Sequence, residues 1–213
     1  MGNLIGVLGI GFLLGLKHAL EPDHIIAVST IAGKQKSLFH SSLLGVFWGI
    51  GHTLTLLGVF LILAITKGSI SEKWGMAFEM GVGVMLVYLG IVSLRTLKKK
   101  NIKRESKEGK PLFLKSMFIG QIHGLAGSAA MTLLVVSAVD SMKDAVLYIG
   151  IFGTGTILGM LLFTFVVSLP FVFAGKIQRV ERVLTGIASI ISICYGIYYI
   201  YLMGYQEGLF INT

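Results

Sequence analysis

Between Leu4 and Ala32 this chain is apolar except for one octapeptide, Lys17-His18-Ala19-Leu20-Glu21-Pro22-Asp23-His24. The apolar stretches on either side have the character of a membrane span, which needs about 20 residues to cross hydrocarbon. The octapeptide does not. Proline lacks a backbone donor and clashes with the preceding turn, so a helix reaching Pro22 bends or unwinds there. Ionisable side chains at membrane depth cost about 2.5–3.5 kcal/mol each on insertion scales, so two imidazoles and two carboxylates together need a use. Backbone freed by a break must face protein or a wet cavity, because lipid cannot satisfy it. Imidazole and carboxylate are also the ligands that borderline divalent transition metals prefer. The first expectation is therefore a metal-ion transporter.

Composition agrees. Of 213 residues, 54% are hydrophobic and 13% charged, against about 25% charged in a soluble domain. Mean hydropathy is +0.85, and 28 glycines suit close helix packing in lipid. The apolar runs predict six spans, at about 3–32, 38–66, 74–95, 114–139, 145–174 and 182–205. The fifth is expected to kink near Pro170. Residues 1–213 are read as a single transmembrane domain without a cleavable signal peptide. The single cysteine, Cys194, excludes an internal disulfide or a CxxC redox pair, and with them a thiol-disulfide electron carrier.

Basic residues set the orientation. The loops after spans one, three and five hold Lys34 and Lys36; nine residues from Arg95 to Lys115; and Lys176, Arg179 and Arg182. Those after spans two and four hold Lys67, Lys73 and Lys143. Fourteen against three places both termini outside and the basic loops in the cytoplasm, in the cytoplasmic membrane. The net charge of +8 is then a topology signal toward anionic lipid headgroups. It does not point to nucleic acid, because the basic 95–115 loop has an apolar span on each side and few aromatics.

The chain also repeats itself at a separation of about 105 residues. His18-Ala19-Leu20 aligns with His123-Gly124-Leu125, Asp23 with Ser128, and Gly45 and Phe47 with Gly150 and Phe152. With a one-residue slip Gly49-Ile50-Gly51 falls on Gly153-Thr154-Gly155, which sets Thr156 opposite His52. Gly81 and Gly90 meet Gly186 and Gly196 near that spacing. Three spans per repeat force opposite orientations in the membrane. The expected fold is an all-α polytopic membrane protein of two inverted three-helix repeats, about 3–95 and 114–205, joined by a basic cytoplasmic loop at about 96–113. Such repeats build substrate sites from interrupted helices near the midplane. Interruptions are expected in the first helix at Glu21-Pro22 and in the fourth at Gly124-Leu125-Ala126-Gly127.

On an ideal helix, Asp23 and His24 lie about 140° and 240° around from His18, so one ion can be gripped only if the segment bends. The bland alternative has both histidines capping broken backbone and Asp23 paired with Lys17. Two imidazoles and a carboxylate in one interrupted span favour ligation. His52 follows Gly49 and Gly51 and is read as a third imidazole ligand or a proton acceptor, against a simple interhelical hydrogen bond. Glu21, Thr53, His123, Ser128 and Thr156 are candidates for lining the path. His40 reads as interfacial. Glu79 reads as lying at the outer interface or paired with a basic residue, and Asp140 and Asp144 as solvating a turn. Nine scattered methionines give no soft Cu(I) path.

His18 through His24, as His-x-x-x-x-Asp-His, resembles the signature of the nickel/cobalt permeases, the NiCoT superfamily. Phe47-Trp48-Gly49-Ile50-Gly51-His52-Thr53 is similar to the family's Phe…Gly-His-Ser/Thr segment. The shorter six-span members, often encoded near urease accessory genes, look closest. Glu21-Pro22 stands where many members have Asp-Ala, and span four lacks the acidic motif of the larger eight-span permeases. The resemblance implies transport of Ni2+ or Co2+ as substrate, with no cofactor, more commonly as uptake and in related six-span members as export.

Together these readings predict a divalent ion held by Asp23, His18, His24 and His52 and exposed alternately to each side. Because neutral imidazole is the liganding form, protons compete and proton-linked uptake is the expected coupling. The rivals are a metal exporter, a small-solute exporter on the same scaffold, a membrane metal hydrolase and a docking partner for a metallochaperone. A hydrolase would need a His-Glu-x-x-His-like pair, and here the histidines stand six apart across a proline. The Gly-x-x-x-Gly pairs at Gly11/Gly15, Gly45/Gly49 and Gly155/Gly159 serve packing within one chain as well as a homo-oligomer.

Overall fold

The break forecast for the first span is where the fold takes its shape. A computed structural model describes residues 2–32, 37–98, 110–139, 141–174 and 177–210. Helix α1 (Gly2–His18) stops at the second residue of the octapeptide, and α2 (Pro22–Ala32) starts at its proline. Pro22 thus occupies a first-turn position, where its missing N–H would have no helical acceptor and its fixed φ suits the helix. Between the helices Leu20 and Glu21 donate backbone N–H bonds to the Lys17 and His18 carbonyls, at 2.9 and 3.0 Å. These i→i−3 bonds tighten the last turn and satisfy carbonyls that an open end would leave orphaned. The two axes meet at 52°.

The other elements are α3 (Leu38–Thr66), α4 (Glu72–Lys98), α5 (Lys110–Ala138), α6 (Met142–Ala174) and α7 (Gln178–Tyr201). A π-helical turn at Leu202–Gln206 extends α7. The described residues contain no strand. Helices α3, α4, α6 and α7 with its π turn are each long and apolar enough to cross a membrane, and α1 with α2 qualifies as one bent span. Five of the six expected spans meet that condition among the described residues. The sixth, α5, has the length, since 29 residues make about 43 Å of helix. Exposed Ile10, Leu13, Leu54, Ile62, Leu162, Val166 and Ile190 suit a lipid-facing surface. The chain is an integral membrane protein.

Helix α6 runs through Pro170 to Ala174. One expectation is corrected. Helix α5 runs unbroken through Gly124-Leu125-Ala126-Gly127, so the expected interruption of the fourth span is not there. No proline forces a break at that point, and the missing side chain serves contact. A Cβ on Gly124 would lie 2.7 Å from the His52 carbonyl oxygen and 2.9 Å from the Thr55 Cβ. Lys34, Lys36, residues 99–109 of the basic loop, Asp140 and Lys176 lie outside the described residues.

Helix α3 packs on α5 and α6, α1 on α6, and α4 on α7. Other glycines let backbones touch at these crossings. A Cβ on Gly15 of α1 would strike the Phe152 carbonyl oxygen of α6, and one on Gly120 of α5 the Trp48 carbonyl oxygen of α3. Conversely, a Cβ on Gly155 of α6 would strike the Phe12 carbonyl oxygen of α1, and one on Gly51 of α3 the Met117 carbonyl oxygen of α5.

Two apolar clusters form in the interior. One gathers Ala27, Val28, Trp48, Leu86, Ile119 and Met160; the other gathers Leu56, Phe60, Met131, Val135, Tyr148 and Phe152. On α3 the clusters contribute Trp48 and Leu56, one turn to either side of His52 on the same face. The polar centre of the molecule therefore lies between two apolar layers.

Candidate metal centre

Four imidazoles and one carboxylate converge in that layer. The bend brings the end of α1 back beside the start of α2, so the His18 and His24 rings lie 4.7 Å apart between centroids. A straight helix would have pointed them to different faces. His52 arrives from α3, its Nε2 3.1 Å from the His18 Nε2. His123 arrives from α5, its ring 4.0 Å from that of His24. His24, His52 and His123 are at most 2% exposed.

Asp23 ties the group together. Its Oδ1 accepts the backbone N–H of His24 at 2.8 Å and lies 3.0 Å from the His24 Nδ1. Its Oδ2 lies 3.0 Å from the His123 Nε2. Glu21 stands at the rim, half exposed, with Oε1 3.0 Å from the His18 Nδ1. A carboxylate behind an imidazole orients the ring and raises its basicity as a ligand. His24 Nε2, His52 Nδ1 and His123 Nδ1 are buried with no hydrogen-bond partner. Uncompensated nitrogens of this kind cost about 1–3 kcal/mol each, and a cation held by His24 Nε2 would offset that one.

Ligand atoms fall into two groups whose members lie within 4.8 Å of one another: His18, His24 and His52; and Asp23, His24 and His123. The donors are those expected for a borderline divalent ion. Two atoms each about 2.1 Å from one metal and about 90–110° apart lie about 3.0–3.4 Å from each other. The His18–His52 and Asp23–His123 separations of 3.1 and 3.0 Å match that spacing.

The residues read as lining the path divide. Thr53 and Thr156 donate their hydroxyls to their own helices, to the Gly49 and Phe152 carbonyls; Ser128 does the same to Leu125. Thr53 also fills the space over Gly153. Gly127 is the small residue beside the imidazoles: a Cβ there would sit 3.8 Å from the His52 Cε1 and 4.0 Å from the His18 Cε1. His123 stands in the centre rather than beside it. Its alignment with His18 was the signal for it, but its contact with Asp23, 100 residues away in sequence, could not be read locally.

Elsewhere, His40 lies twelve residues before His52 on α3, about 18 Å along the helix axis, beside Phe39 and Phe113. Among the described residues the partner of Glu79 is a tyrosine and not a basic side chain. The Tyr199 hydroxyl donates to its Oε2 at 3.4 Å, joining α4 to α7. Asp144 sits at the start of α6, where the Ser141 hydroxyl bonds its carboxylate at 2.7 Å and its N–H bonds the Ser141 Oγ at 3.1 Å, an N-terminal cap.

The chain is 46% identical over 220 aligned positions to the urease accessory protein UreH of Bacillus sp. (strain TB-90), covering 98% of this chain and 96% of that protein. It belongs to the UreH-type nickel/cobalt permease family. A second relative of this UreH-type chain is a Methanocaldococcus jannaschii protein provisionally named a nickel/cobalt efflux system. It is 28% identical over 151 residues, covering 68% of this chain and 67% of that protein. Neither relative is named as an enzyme, and this UreH-type chain is a transport-family membrane protein. No protein-family model and no solved structure matches it.

Proposed function

We propose that this protein carries a divalent transition-metal ion, Ni2+ or Co2+, across the cytoplasmic membrane by alternating access. Asp23, His18, His24 and His52 bind the ion, and His123 completes the centre. The observation that carries this reading is the convergence of four imidazoles and a carboxylate, three of the imidazoles fully buried, between two apolar clusters in an integral membrane protein. Alternating access requires one layer to part while the other stays shut. The names of the two relatives, one a urease accessory protein and one an efflux system, support nickel or cobalt as the substrate.

The moving parts are two inverted repeats of three spans within a single transmembrane domain, both termini outside. Paired contacts support this. Shifting residue numbers by 104 or 105 turns Gly15 into Gly120, Phe12 into Met117 and Gly51 into Gly155. The carbonyl contacts of α1 on α6 then become those of α5 on α3. Neutral imidazole is the liganding form, so protons compete with metal and link uptake to the proton gradient.

The test is cellular accumulation of radioactive nickel and cobalt by the full chain and its Asp23→Ala variant at matched membrane expression. Uptake predicts accumulation above empty-vector cells that the variant abolishes. Accumulation below the control, restored in the variant, reverses the direction to export. No difference for either metal refutes metal transport. Collapse of the proton gradient without effect on the rate refutes the coupling.

A further inference from the structure

We infer that the centre is two adjoining metal positions, a first triad of His18, His24 and His52 and a second of Asp23, His24 and His123, between which a single ion is handed over. The inference rests on the metal-transport reading. His24 belongs to both triads. Its ring offers two different nitrogens: Nδ1, 3.0 Å from Asp23, and Nε2, buried without a partner. A neutral imidazole has one lone pair for a metal, because its other nitrogen carries the proton. Two ions cannot share His24 while it stays neutral, so the triads fill in turn.

The triads differ in chemistry. The first is all nitrogen, and in it the Asp23 carboxylate supports His24 from behind, as carboxylates support metal-bound histidines. The second exchanges two imidazoles for a carboxylate and His123, so Asp23 changes from supporting a ligand to being one. Nitrogen-only and mixed nitrogen/oxygen sets favour different metals and geometries. Their position in the chain differs too. The first triad draws only on residues 18–52, whereas the second brings in His123 from α5. An ion in the first position holds α1, α2 and α3 together; an ion in the second ties α2 to the other half of the chain. Transfer of the ion is thereby coupled to the contact between halves, which a carrier has to remake in each cycle.

The probe is Co2+ bound to the purified full-length protein in detergent, read by its visible ligand-field bands and by binding stoichiometry. His52→Gln disables the first triad, His123→Gln the second and His24→Gln both. Expected are one Co2+ per wild-type chain, and one in each of the first two variants, with affinity within about tenfold of wild type but different spectra. The His52→Gln spectrum should have carboxylate character and the His123→Gln spectrum should be that of a nitrogen set. His24→Gln should lose binding by about a hundredfold or more. Both single-triad variants should lose radioactive-metal transport although they bind, because handover needs both positions. The alanine variants at the same positions must reproduce the split. Two ions per chain, identical spectra, loss of binding in either single-triad variant, or undiminished transport in either one would overturn the two-position scheme and leave metal transport standing. No Co2+ or Ni2+ binding by the wild-type protein would remove the transport reading itself.

Discussion

Replacing Asp23 by asparagine changes one atom and one charge at the point where the centre is held together. The carboxylate reaches two imidazoles through different oxygens, at 3.0 Å each, and accepts the His24 backbone N–H at 2.8 Å. Asparagine retains one oxygen. In place of Oδ1 it keeps the backbone bond and the His24 contact, while its amide NH2 faces His123, which can turn an unprotonated nitrogen toward it. Shape and connectivity survive, and the loss is one charge-assisted interaction. Hydrogen bonds to charged groups contribute about 1.5–3 kcal/mol, equivalent to about ten- to a hundredfold in a binding constant. Removing a carboxylate from behind a metal-bound histidine costs about the same. The affinity of purified Asp23→Asn for Ni2+, measured by competition with a chelator of known strength, should fall by that factor. Its thermal unfolding without metal should move little, because the neutral pair needs no counter-charge. An affinity within threefold of wild type would mean that Asp23 acts only through backbone capping. Complete loss of helical structure would mean that it holds the fold rather than the ion.

Gly120→Val should disrupt the crossing of α5 on α3, where a side chain meets the Trp48 carbonyl oxygen, and lower the detergent melting temperature by several degrees; Gly127→Ala, with contacts of 3.8 Å or more, should melt as wild type does. Trp48→Ala removes a side chain that is 1% exposed and whose ring lies 5.7 Å from that of His123; a loss of about 3–5 kcal/mol in stability and an elevated basal metal leak in proteoliposomes are expected. Metal affinity should fall on acidification, by about tenfold per pH unit for each proton displaced, and isothermal titration in buffers of different ionisation enthalpy counts those protons. His40→Ala, far along α3 from the centre, should leave Ni2+ affinity unchanged.

The bent first span was legible because its cause is local. Pro22 can neither donate to α1 nor fit inside it, and the polar residues around it cannot be left in lipid. The ends of the remaining helices were likewise legible within a few residues, since apolar runs in a membrane chain have few other solutions. The fourth span was misread for a physical reason. Gly124 and Gly127 lower helix propensity in water, but in a packed membrane protein the same missing side chains let His52 and Thr55 approach. Nothing within α5 distinguishes the two uses; the partner helix does. His123 had the same difficulty. Its neighbours are small and uncharged, and only the arrival of Asp23 from the other half of the chain places it in the cluster. For Glu79 charge suggested a basic partner as one alternative, whereas tertiary packing supplies the Tyr199 hydroxyl.

The gap between α1 and α2 also has an electrical side. At a helix end the aligned peptide groups act as about half a unit charge, negative where a helix finishes and positive where one begins. The end of α1 at His18 and the beginning of α2 at Pro22 therefore set a weak negative pole and a weak positive pole a few residues apart, inside a medium that screens poorly. A dication at the first pole is attracted and at the second repelled, and Asp23, on the opening turn of α2, cancels the repulsion. An unbroken helix would have no such ends at this depth. By splitting one span into two, the chain sets a shallow electrostatic gradient across the centre itself, which would hold a cation more firmly at one end than at the other.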